Sequence, residues 1–123
     1  MKSIVFAVLL SGALFSMENE VTGDWTIAGE VQGVGVDEVC TFVQTEAKLA
    51  GSCELTGKKY DTTGTVDGKK VVFKHGGEYN GDALTLTYTG VMAEDGSLSG
   101  SIYVDPMAVD GSFSAKKKVA AAK

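Results

Sequence analysis

Two cysteines, one histidine and a scatter of aspartates are the residues with chemistry to offer. Cys40 and Cys53 are the chain's only cysteines and His75 its only histidine. A thiol pair serves as metal ligands, as a redox couple or as a staple. Zinc asks for about four ligands, and a lone histidine does not complete such a set. A redox pair calls for C-x-x-C at a helix start, which is absent. His75 is the sole general-base candidate, but no serine or aspartate stands in a recognisable nucleophile motif beside it. It reads as an exposed histidine at the loop end of a strand. Asp95-Gly96-Ser97 and the Asp105–Asp110 stretch fall short of the ligand count and spacing of a calcium loop and read as turns. No phosphate-binding glycine loop leads a strand into a helix. The expectation is a protein that is not an enzyme and has no metal or cofactor.

The elements that position these residues are strands. "GDWTIAGEV" places Gly23, Trp25, Ile27, Gly29 and Val31 on one face. "LTLTYTG" places Leu84, Leu86 and Tyr88 opposite three threonines, and "SLSGSIYV" places Leu98, Gly100, Ile102 and Val104 opposite polar residues. A period of two marks half-buried strands. Asp67-Gly68, Asn80-Gly81, Asp95-Gly96 and Asp110-Gly111 are hairpin-turn signals. The reading is all-β: about eight strands near 21–31, 36–45, 48–56, 59–66, 69–75, 83–92, 97–104 and 110–117. Hairpin connections throughout favour an antiparallel up-and-down meander closed into a small barrel, which hides its edges. Glycines recur on the apolar faces (Gly23, Gly51, Gly64, Gly90, Gly100 and Gly111) and read as sites of close packing.

A turn at Glu46-Ala47 places Phe42 opposite Gly51 and Cys40 opposite Cys53. Counting outward makes the cysteines a non-hydrogen-bonded pair, the closer kind, at the lower limit of disulfide spacing. A Cys40–Cys53 disulfide is therefore expected.

The first residues, "MKSIVFAVLLSGALFSMENE", have a charged start and an apolar run from Ile4 to Phe15 that Glu18 ends. That is the layout of a signal peptide over residues 1–16, with cleavage after Ala13 or after Ser16. It leaves one barrel domain over 17–123 in a secreted or periplasmic protein, where thiols oxidise. The basic residues are all lysines, 11 of them against 16 acids, for a net charge of −5. An acidic chain without arginine is a poor partner for nucleic acid. Membrane insertion is not expected, because several strands are shorter than the about 9–11 residues of a membrane barrel.

Links one-to-two, five-to-six and seven-to-eight ("QGVGV", "HGGEYNGD", "DPMAVDG") read as longer loops gathered at one end, with tight turns and Trp25 at the other. Binding residues favour longer loops. The candidate ligand site is therefore His75, Tyr79, Asp105 and Met107, with Phe73 and Tyr88 lining any cavity.

"VTGDWTIAG" resembles the G-x-W opening of lipocalin-like (calycin) barrels. That resemblance implies a Trp25 that plugs a closed end and a small apolar ligand or a partner at the other. "GSFSAKKK" is similar to the last strand of avidin-type barrels, without the tryptophans of the biotin site. Residues 20–55 are similar to the small periplasmic metalloprotease inhibitors of Gram-negative bacteria, which implies a secreted protease as partner and Met17–Val21 as the inhibitory segment.

Overall fold

The computed structural model describes residues 21–118. The eight strands are β1 (Gly23–Val31), β2 (Val34–Thr45), β3 (Lys48–Leu55), β4 (Lys58–Asp67), β5 (Lys70–Tyr79), β6 (Asp82–Met92), β7 (Leu98–Asp105) and β8 (Val109–Lys117). Each pairs antiparallel with the next, and β1 pairs with β8, so the meander closes into a barrel. The signal-peptide reading of residues 1–16 and the segment Met17–Glu20 lie outside the described residues.

Alternation decides what faces inward. Trp25, Phe42, Phe73, Tyr88 and Ile102 are fully buried. The intervening positions carry mainly lysines, acids, threonines and serines, with Val39, Val43, Val91 and Tyr103 exposed among them. Phe73 stacks on Tyr88 at 4.5 Å, and Phe42 and Phe113 meet that pair edge-on at 4.9 and 5.2 Å. These rings fill the lower and middle barrel. Inward glycines let the wall bend round them. A Cβ at Gly51, Gly64, Gly100 or Gly111 would fall 1.8–2.1 Å from a carbonyl oxygen of the neighbouring strand. The glycines are therefore wall contacts, as the sequence suggests, rather than space for a ligand.

The Trp25 end is sealed. Trp25 Nε1 donates to the Val21 carbonyl at 2.9 Å, and the Val21 amide donates to Gln44 Oε1 at 3.2 Å. The Lys118 amide donates to the Asp24 carbonyl at 2.7 Å, and the Lys117 ammonium lies 5.7 Å above the indole.

The expected contrast in loop length is not what the barrel has. Gln32-Gly33, Thr56-Gly57 and Asn80-Gly81 are two-residue turns with both residues at positive φ, the geometry that suits hairpin twist. The longest connection, 93–97, lies at the Trp25 end. Gly76, Gly77 and Gly111 belong to strands, and Asp110-Gly111 is no turn. The glycine-rich stretches read as loops because glycine also punctuates turns. Here several of them pack: a Cβ at Gly77 would lie 2.7 Å from Leu86 Cδ1.

Candidate functional site

The Cys40–Cys53 disulfide is present, with the register expected from the Glu46-Ala47 turn and a Cα separation of 4.0 Å. Glu38 lies with both cysteines in the one group of ligand-type atoms close enough to hold an ion among the described residues. The two sulfurs are bonded to each other, so neither is a thiolate able to bind a metal. Asp95 Oδ1 instead accepts from the Ser97 amide and hydroxyl at 2.9 and 2.7 Å, a turn contact. Those bonds hold its carboxyl below the usual aspartate range.

His75 is not at a strand end. β5 runs on to Tyr79, and His75 is 3% exposed and faces inward. Its Nε2 lies 2.8 Å from Glu38 Oε1, and its Nδ1 lies 2.5 Å from the Gly76 carbonyl oxygen. The Nε2–Oε1 contact is a close charge pair rather than an aligned hydrogen bond, and among the described residues no other polar group serves either atom. The Tyr88 hydroxyl donates to Glu38 Oε2. Tyr60 stacks on the imidazole at 5.9 Å. Both ring nitrogens thus face oxygens, an arrangement that suits a protonated imidazole beside a carboxylate. Burial, the largest influence, pushes the His75 pKa down. Glu38 and the Gly76 carbonyl outweigh it, so the net shift is above the ordinary value of 6.5. Burial and then the Glu38 charge push the Tyr88 phenol far above its ordinary range.

Glu38 is the residue that sequence reading missed. The signal was there: Cys40 and Phe42 face inward, and the period of two carries that face back to position 38. Glu38 is the one charged side chain on that inward face of β2, which otherwise carries Val36, Cys40, Phe42 and Gln44.

Beyond this cluster the barrel opens. A cavity of about 320 Å3 occupies the end opposite Trp25. Val31, Val36, Leu86 and Val104 form its buried part, with Leu55, Leu84 and Val109 half-buried around them. Val34, Tyr79 and Met107 stand at the rim, 43–48% exposed. Gln32, Thr56 and Glu78 supply the polar edge. Of the residues proposed from sequence, Tyr79 and Met107 line this cavity. Asp105 is exposed and lies outside the lining. Phe73, His75 and Tyr88 belong to the filled core and do not line it. The cavity therefore sits at the expected end, built from strand residues and short turns rather than long loops.

Val21, the last residue of the proposed inhibitory segment, is packed into the closed end, and Met17–Glu20 lie outside the described residues. Comparison with protein families, with curated proteins and with solved structures finds no match. The findings support a small eight-stranded antiparallel barrel of the broad calycin-like architecture, with a capacity for binding at its open end.

Proposed function

We propose that this barrel is a non-enzymatic, secreted or periplasmic binding protein that takes a small apolar ligand in its mouth. The observation that carries the reading is the apolar cavity of about 320 Å3, near the lower bound of small-molecule sites. It is walled by nine aliphatic or methionine side chains and edged by a few polar groups. Such a surface is costly to leave in water and gains about 25 cal/mol per Å2 when covered. The filled lower barrel limits the ligand to a compact molecule. The disulfide supports an oxidising compartment, and the polar outer faces support a barrel bathed in water.

Titration with the neutral fluorophore N-phenyl-1-naphthylamine tests the reading. Wild-type protein should bind it saturably. Val109→Trp, which fills the mouth from a half-buried position, should abolish binding while thermal unfolding stays cooperative. No binding by wild type, or equal binding by the filled variant, would reject the site.

A further inference from the structure

The barrel wall is not uniformly sealed. β4 and β5 share five rungs, from Asp67↔Lys70 to Thr63↔Lys74, the shortest ladder in the barrel. Past Thr63 the two strands continue without pairing to each other. Residues 58–62 still pair with β3, and residues 75–79 still pair with β6. Hydrogen bonding alternates outward from the Asp67↔Lys70 pair, so Lys59, Asp61, Gly76 and Glu78 are the residues whose backbone groups turn toward this gap. The Gly76 carbonyl is taken by His75 Nδ1 in place of a rung.

Side chains close what the backbone leaves open. Lys58 Nζ pairs with Glu78 Oε1 at 2.9 Å across the gap, and both side chains are about half exposed. The Glu78 contact raises the Lys58 pKa, so the ammonium stays charged. Further in, the Tyr60 ring covers the gap, lying against Gly76 and over His75. A Cβ at Gly76 would lie 3.4 Å from Tyr60 Cδ1, an ordinary packing distance that places the ring edge against this residue. The mouth cavity reaches the open end of this seam, where Glu78 and Tyr79 line it from β5 and Thr56 lines it from the turn that leads into β4. Lys58 and Tyr60 do not line the cavity.

We propose that the unpaired stretch between β4 and β5 is a lateral portal to the mouth cavity, latched by the Lys58–Glu78 pair and shuttered by Tyr60. The inference rests on the ligand reading above. A flat or extended apolar molecule enters by spreading two strands that share no hydrogen bonds there, so no ladder breaks. Elsewhere in the wall, entry between strands would break paired rungs.

A portal has a kinetic signature that a binding contact lacks. Opening it speeds entry and exit alike and leaves Kd unchanged. Stopped-flow mixing with N-phenyl-1-naphthylamine reads both rates. Lys58→Ala should raise both by about twofold to fivefold, the range set by an exposed ion pair. Tyr60→Ala should raise both by more than Lys58→Ala does. Rising salt should speed exchange in wild type by screening the latch and leave Lys58→Ala unaffected. Lys58→Glu should behave as an open latch. Unchanged rates in Lys58→Ala and Tyr60→Ala with intact binding would overturn the portal and leave the cavity reading standing. A weaker Kd carried by the exit rate alone would make these residues ligand contacts and also overturn it. Absence of probe binding by wild type would reject both.

Discussion

Tyr88→Phe isolates one hydrogen bond in the barrel. The substitution keeps the ring, which stacks on Phe73 at 4.5 Å with planes 9° apart, and removes only the hydroxyl that serves Glu38. Glu38 is 4% exposed, so no water replaces the lost donor freely. A hydrogen bond to a buried charged group contributes about 1.5–3 kcal/mol, and an orphaned partner carries its full desolvation cost. The expected loss is about 2 kcal/mol. With a urea slope of about 1.5 kcal/mol per M for a domain this small, the unfolding midpoint should fall by about 1–2 M. The measurement is urea unfolding at neutral pH with the disulfide intact. A Glu38→Leu background supplies the control. There the hydroxyl has no carboxylate to serve, so Tyr88→Phe should cost less than about 0.5 kcal/mol or should stabilise, because an unpartnered buried hydroxyl is itself unfavourable. An equal loss in both backgrounds, or a loss below about 0.5 kcal/mol in the wild-type background, would show that the hydroxyl does not stabilise the barrel through Glu38.

His75 and Tyr88 both have pKa values raised in the folded state. Their stabilisation is therefore complete below the unfolded values and drains away as pH rises through the folded ones. Wild-type stability should fall from about pH 7 upward, by at most about 1.4 kcal/mol per pH unit for each proton lost, and His75→Gln should flatten the first part of that fall. A slope of opposite sign in a pH series of urea titrations would contradict this. Cys40→Ser with Cys53→Ser should lower stability by about 2–4 kcal/mol, since the bridge closes a short hairpin loop; calorimetry with unchanged melting would count against a structural role. Gly100→Ala should prevent barrel closure, because its Cβ would lie 1.9 Å from the Thr89 carbonyl oxygen and 2.6 Å from Gly90 Cα. A soluble variant with wild-type near-UV circular dichroism would show that the wall yields there.

Much of the architecture was legible in the chain because period-two patterning speaks directly about faces. Trp25, Ile27 and Val31, or Leu98, Ile102 and Val104, announce their inward side without knowledge of their neighbours. The cysteine hairpin was legible for the same reason: a two-residue turn fixes its register, and the register places Cys40 against Cys53. What was hidden lay in residues with two physical uses. Glycine both turns a chain and lets strands approach, so "HGGEYNGD" read as a loop although Gly76 and Gly77 are wall contacts. That misreading moved His75 from the interior to a strand end. The Glu38 partner then went unseen, because a charge in an inward phase makes sense only once its imidazole and phenol partners are in place. The early end of the β4–β5 ladder has no local signal in sequence. It follows from how eight strands share one closed wall.

Methyl NMR during titration with N-phenyl-1-naphthylamine reports whether the mouth cavity is the binding site. Saturable shifts are expected at the Leu55, Leu84, Leu86 and Val104 methyls, which line the cavity. Ile27, Val71 and Leu98, which are buried in the filled barrel and do not line the cavity, should hold still. An unmoved spectrum, or shifts centred on Ile27, Val71 and Leu98, would contradict binding in the mouth.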